Sequence, residues 1–387
     1  MIPRSAEIEL RELALQFKAV ALIGPRQSGK TTLVRKVFHE KAYVSLENPD
    51  IRMYATEDPR GFLSNYPDGA ILDEVQRTPQ LFSYLQQILD ESGKKGLFIL
   101  TGSNNFLLQE SISQSLAGRI GYLNLLPLSV EEIGQLKPNI NQLIFMGGYP
   151  VLYSDENASV VKWFANYINT YIERDVRLLK NISDLVVFER FLRLCAGRSG
   201  QLLNMNSLAN ETGVDQKTIA AWLSVLETSF IIFRLQPFHK NYNKRIIKMP
   251  KLYFYDTGLA SSLLGIEDSS QIEFHPFKGN LFENLVILEF LKHRLNSGKS
   301  KNLYFWRDST GNEIDLLLEH GERLVPVEIK SGMTVTSEYF KGIKFWNKLS
   351  GNQGGLIVYG GTESQKRSEG FIVTPVSGCI NVYKTFV

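Results

Sequence analysis

Between Lys18 and Leu126, short apolar runs alternate with helical patterns. The runs are Ala19–Ile23, Ala42–Leu46, Ala70–Leu72, Leu97–Leu100 and Tyr122–Leu125. Unbroken apolar runs of this kind suit strands buried on both faces, and their alternation with helices predicts a mostly parallel α/β sheet. From Ser129 to Ile182 the pattern is helical, with a turn at Gly147-Gly148-Tyr149-Pro150 where paired glycine meets proline. From Leu185 to Pro250 come helical stretches and then strand-like runs at Phe230–Leu235 and Ile246–Ile247. The remainder combines a helix at Asn280–Leu295 with strands at Asn302–Trp306, Glu313–Leu318, Leu324–Ile329 and Gly355–Val358, a second α/β unit. These shifts of pattern divide the chain into residues 1–128, 129–182, 183–250 and 251–387.

Composition narrows the class. The chain has 387 residues, 43% hydrophobic and 21% charged, an ordinary globular profile with material for several cores. Its formal net charge is only +3, so a nucleic-acid surface would have to come from local clustering. Cys195 and Cys379 form neither a metal-ligand spacing nor a disulfide framework, and Cys195 sits in an apolar run that reads as buried. No run approaches the roughly 20 apolar residues of a membrane span. No apolar leader follows Met1-Ile2-Pro3-Arg4, so the expectation is a cytoplasmic protein with no membrane partner.

The first run of candidate chemistry follows the strand Ala19–Ile23. Gly24-Pro25-Arg26-Gln27-Ser28-Gly29-Lys30-Thr31 fits G-x-x-x-x-G-K-[ST] between a strand and a helix, with Thr32 next. The glycines let backbone N–H groups wrap phosphate oxygens, and the helix N-terminus adds positive dipole. Lys30 would reach the β and γ phosphates of ATP, and Thr31 would hold Mg²⁺. The strand Ala70–Leu72 ends in Asp73-Glu74, so Asp73 would join the Mg²⁺ shell and Glu74 would activate the attacking water. A third strand ends in Thr101-Gly102-Ser103-Asn104, where Ser103 or Asn104 would sense the γ-phosphate, unless the segment is simply a capping turn. Arg119 could act on a neighbouring subunit's γ-phosphate or lie in an intrachain ion pair.

The segments GPRQSGKTTL, ILDEVQR, LTGSNNFLL and LAGRI together resemble the AAA-type ATPase domain of a widespread prokaryotic family carrying a C-terminal DUF4143 region. GGYP at Gly147–Pro150 and YIERDV at Tyr171–Val176 resemble further signatures of that family, and the likeness covers nearly the whole chain. It implies an AAA+ P-loop ATPase with a helical lid, working as a homo-oligomer such as a hexameric ring.

Met205–Val214 reads as a short helix ending in a glycine turn, with Asp215 capping a second helix from Gln216 to Glu227. That is helix-turn-helix spacing, and the strands after it could form a wing. Gln216, Lys217 and Thr218 would stand at the exposed start of the recognition helix. The following segment carries Arg234, Lys240, Lys244, Arg245, Lys248 and Lys251 with no acidic residue between them, interleaved with Phe238, His239 and Tyr242. Cations with aromatics suit phosphate contact and base stacking, although such runs are also ordinary solvated surface.

A second cluster of chemistry lies further on. By the period of two, Ile314, Leu316 and Leu318 share one strand face while Glu313 and Asp315 take the other. Glu328 and Lys330 share a face of the next strand, and Glu283 lies on the preceding helix. The set resembles the core of PD-(D/E)xK nucleases. In that likeness Asp315 and Glu328 would hold Mg²⁺, Lys330 would orient or deprotonate water, and Glu283 would assist the metal. Two functions stay open: a DNA-directed ATPase, possibly acting on branched DNA and cutting it, or a nucleotide-switched interaction protein with an inactive nuclease-like domain.

Overall fold

A computed structural model describes residues 2–103, 115–136, 138–172, 184–238 and 248–386. Asn104, His239, Lys240, Tyr242, Lys244, Arg245, the run Ile246–Ile247 and most of YIERDV lie outside these residues. The chain forms two compact units. One comprises Met1–Leu128 with Thr228–Phe230 and Arg294–Ser300, and the other the rest. Among the described residues no helix is long and apolar enough to cross a membrane.

The first unit is built on a five-stranded sheet. Its strands are β1 (Ala19–Ile23), β2 (Ala42–Ser45), β3 (Ala70–Asp73), β4 (Phe98–Gly102) and β5 (Ile120–Asn124), in the order β2-β3-β4-β1-β5. Every pairing is parallel. β1, β3 and β4 are buried along their whole length, as expected of strands covered on both faces. Leu10 and Leu13 of the helix Glu7–Gln16 join Val20, Leu22, Leu33, Val34, Ile71 and Ile99 in the core. Because β4 lies between β1 and β3, the phosphate loop, Asp73-Glu74 and Thr101–Ser103 all emerge at one edge. This is the carboxyl edge of a parallel sheet, where α/β folds bind ligands.

The second unit carries an eight-stranded mixed sheet. Its strands are β6 (Ile232–Pro237), β7 (Lys251–Phe254), β8 (Leu303–Arg307), β9 (Glu313–His320), β10 (Arg323–Lys330), β11 (Gly355–Tyr359), β12 (Gln365–Lys366) and β13 (Phe371–Pro375). The order is β12-β13-β11-β10-β9-β8-β6-β7. Trp306, Ile314, Leu317, Ile343, Trp346, Ile357 and Val373 form its core. The helix–turn–helix elements are Met205–Thr212 and Gln216–Thr228, joined through Gly213 in the left-handed region at φ 77. Asp215 caps the second by accepting from Lys217 N and Thr218 N at 2.7 and 3.0 Å. Of the two runs that could form a wing, Phe230–Leu235 overlaps β6 and Ile246–Ile247 lies outside the described residues; β6 pairs antiparallel with β7 and runs beside β8 as part of the larger sheet.

The Gly147-Gly148 turn has a packing cause. Gly147 sits at φ 65, and a Cβ there would stand 2.1 Å from Asp256 Oδ1. Gly148 N–H donates to Asp256 Oδ2 at 2.7 Å, while Oδ1 caps the helix Thr257–Leu263 through Leu259 N. Tyr149 is buried beside Trp163 and Tyr167 and donates to the Tyr167 hydroxyl at 2.9 Å.

Candidate functional sites

The phosphate loop packs close to the end of β5. A Cβ on Gly24 would approach Leu125 O to 2.1 Å, so only glycine fits, and Gly29 enters the helix Lys30–Val37 at φ 92. Pro25 and Ser28 are buried, Arg26 and Gly29 half-buried, and Gln27 and Thr32 exposed. Arg4 clamps the loop from outside. Its guanidinium donates to Ser28 O and Leu126 O, each at 2.6 Å. Lys30 turns its ammonium into the loop and donates to Gly24 O at 2.9 Å and Pro25 O at 2.7 Å. Burial pushes the Lys30 amine down to about 8, although Glu74 and Asp73 oppose this.

Asp73 is the hub of the site. Thr31 Oγ1 lies 3.2 Å from both carboxylate oxygens, Tyr43 donates to Oδ2 at 2.7 Å, and Thr101 donates to Oδ1. Burial, reinforced by the bond to Asp73, pushes the Tyr43 phenol up to about 12. Thr31 and Asp73 together offer hard oxygen donors beside the phosphate loop, a set that fits Mg²⁺. Glu74 follows at φ 56, in the left-handed region, which turns it away from the strand direction. Its Oε2 accepts from Gln76 Nε2 at 2.7 Å and Ser103 Oγ at 3.0 Å. Arg119 lies in a bidentate pair with Asp90, at 2.5 and 2.9 Å, one of the two arrangements its sequence context allowed. Tyr43, Thr101, Gln76 and Arg4 are absent from the sequence-derived set, and nothing in their spacing marks them.

The second cluster brings together Asp315, Glu328 and Lys330. Lys330 Nζ lies 3.1 Å from Asp315 Oδ2 and 3.8 Å from Glu328 Oε1, and Ile329 N donates to Asp315 Oδ2 at 2.8 Å. Burial would raise Asp315, but the Lys330 and Lys251 ammoniums outweigh it and hold the carboxyl below its usual range. Burial and the Asp315 charge drive Glu328 well above its usual range, and as the neutral acid it can donate a hydrogen bond to Asp315. Glu283 joins the cluster through Lys251. It accepts from Lys251 Nζ at 2.9 Å and Tyr253 Oη at 2.5 Å. Lys251 also pairs with Glu313 at 2.5 Å.

Among the described residues no group of three or more His, Cys, Asp or Glu is placed to hold a metal. Lys330 and Lys251 stand among the carboxylates of Asp315, Glu328 and Glu283 and compensate their charge.

The basic run also changes character. Lys251 is 3% exposed, and Arg234 is tied to Glu227 by bonds of 2.7 and 2.5 Å. Both charges are cancelled locally, which a linear reading cannot see. Lys217 and Lys248 are exposed.

Comparison with known proteins supports an AAA-type ATPase domain in the first part of the chain. The model of a family described as an AAA domain matches residues 16–134. Two described as domains of unknown function, DUF8612 and DUF4143, match residues 137–270 and 278–379. An uncharacterized protein of Mycobacterium tuberculosis is 33% identical over 334 residues, covering 86% of this chain and 74% of the relative. An uncharacterized protein of Methanocaldococcus jannaschii is 21% identical over 384 residues, covering 84% and 78%. Among solved structures, the Walker-type ATPase of Pyrococcus abyssi is 15% identical with a TM-score of 0.46, covering 68% of this chain and 96% of that one. The chain belongs to the same family as the mycobacterial protein, and in it an AAA-type P-loop ATPase domain is followed by DUF8612 and DUF4143 regions.

Proposed function

We propose that the chain binds ATP with Mg²⁺, hydrolyses it, and couples turnover to DNA. The observation that carries hydrolysis is the convergence of Lys30, Thr31, Asp73 and Glu74 at one sheet edge. Lys30 would neutralise the β and γ phosphates, Thr31 and Asp73 would hold Mg²⁺, and Glu74 would take a proton from the attacking water. Mg²⁺ would supply charge neutralisation at the phosphates. The coupling to DNA is supported by Lys217 on the first exposed turn of Gln216–Thr228 and by Lys248. Homo-oligomerisation belongs to the same reading, with Arg119 leaving Asp90 for a neighbour's nucleotide.

Lys30 gives a pH signature. A polyphosphate favours the charged ammonium, so binding should draw in a proton once pH passes the free-site value of about 8. ATP affinity is then expected to fall above that pH, with a limiting slope of about one decade per unit. Calorimetry in two buffers of different ionisation enthalpy reads the proton uptake directly. Binding that stays flat from pH 7 to about 9.5 would remove Lys30 from this role.

The Lys251 pair favours a second reading, a nucleotide-switched ATPase whose nuclease-like cluster does not cut. One experiment separates the two. ATPase rates are measured with linear, single-stranded, forked and four-way DNA, with oligomer mass and strand cleavage followed alongside. The DNA-directed reading expects stimulation by at least one of these forms, and it fails if none raises the rate. Any Mg²⁺-dependent nicking should vanish in Asp315→Asn while ATPase activity persists. Nicking that survives the change would mean the wrong site had been assigned.

A further inference from the structure

The carboxylate of Asp73 is gripped from three elements. Thr31 approaches from the phosphate-loop helix, Thr101 from β4 and Tyr43 from β2. The sheet register explains the last contact. β2 runs parallel to β3 with Ser45 beside Asp73 and Tyr43 beside Ile71, so Tyr43 is a diagonal neighbour of Asp73, within reach of a long aromatic side chain. Its hydroxyl meets Oδ2 at 2.7 Å. The ring is held in turn by Arg35, whose guanidinium stands 4.8 Å from the ring centroid. Arg35 belongs to the same helix as Lys30 and Thr31.

Such a donor does two things to a cation-binding carboxylate. It fixes rotation about the Cβ–Cγ bond, and it draws charge from one oxygen. Thr31 and Asp73 would both hold Mg²⁺, the Thr31 hydroxyl through an oxygen lone pair. Tyr43 and Thr101 bond the same carboxylate independently of Thr31 and would keep it aimed.

We propose that Tyr43 is a positioning residue for the divalent cation of the nucleotide site, its hydroxyl orienting Asp73 and setting how tightly Mg²⁺ is taken with ATP. The proposal rests on the Mg²⁺–ATP reading above.

Tyr43→Phe tests it, because it keeps the ring under Arg35 and deletes one hydroxyl. Binding of a fluorescent ATP analogue is titrated with Mg²⁺ and repeated in EDTA. The Mg²⁺ midpoint is expected to rise about tenfold, while metal-free affinity stays within about twofold of the parent chain. An unchanged midpoint overturns the role of Tyr43. So does an equal loss of affinity with and without metal, or a variant that does not fold, since both make the contact structural. A parent chain whose nucleotide binding ignores Mg²⁺ overturns the metal reading itself, and the role of Tyr43 with it.

Discussion

Glu74→Gln is expected to keep ATP bound and to lower kcat by about two to four decades, the range a positioned general base supplies. Retention follows from the geometry. The groups that would meet the phosphates and the cation are Lys30, Thr31 and Asp73, none of which depends on Glu74 for a hydrogen bond. The amide is isosteric, and its oxygen can still accept from Ser103 and Gln76, which bond Oε2 at 3.0 and 2.7 Å. The left-handed turn at Glu74 is therefore kept, and what disappears is the negative charge and the basicity. Turnover and nucleotide affinity measured on the same preparation decide it. A kcat within about tenfold of the parent would show that another group activates the water.

The expected split between binding and turnover reflects how the site was readable in the sequence. The phosphate loop and Asp73-Glu74 are contiguous motifs attached to apolar strands, and the parallel sheet delivers them to one edge because β4 falls between β1 and β3. Tyr43 and Thr101 carry no such signal. Tyr43 lies on a half-exposed edge strand and reaches Asp73 only through register, and Thr101 sits just before the residues that a linear reading favours as sensors. The same limit applies to fold elements. β9 and β10 announce themselves by alternation, whereas β12 is two residues long and β13 is a short run between glycines with no helical or hairpin signal around it. Arg234 and Lys251 show the limit most clearly. Both belong to a stretch free of acidic residues, yet Arg234 finds Glu227 on the preceding helix, and Lys251 finds Glu283 and Glu313 far along the chain. A charge run read along the sequence says nothing about partners that tertiary folding supplies.

Lys251→Met should strongly destabilise the second unit. The lysine side chain is 4% exposed, Glu283 16% and Glu313 23%, so the pairing takes place where water screens little. Burial opposes the ammonium, but Tyr253, Glu283, Glu313 and Asp315 together hold its pKa well above the usual lysine value. Methionine fills similar space beside Phe305, over which the ammonium stands at 5.5 Å, so packing is largely kept and charge is what is lost. The carboxylates then face one another uncompensated, which costs about 3–5 kcal/mol when one partner of a buried pair is removed. The penalty should be largest at neutral pH and shrink in acid. Without the lysine the folded-state carboxyl pKa values rise, so stability is lost as pH climbs through them and regained as protonation returns. Trp163, Trp222, Trp306 and Trp346 all lie in this unit, so the tryptophan fluorescence of the chain reports its unfolding selectively. Adding Glu283→Gln to Lys251→Met should recover a substantial part of the loss, because it removes one of the stranded charges. A urea midpoint for Lys251→Met equivalent to less than about 1 kcal/mol of destabilisation would place the pair among solvated surface ion pairs and sink the account of a buried, lysine-compensated cluster.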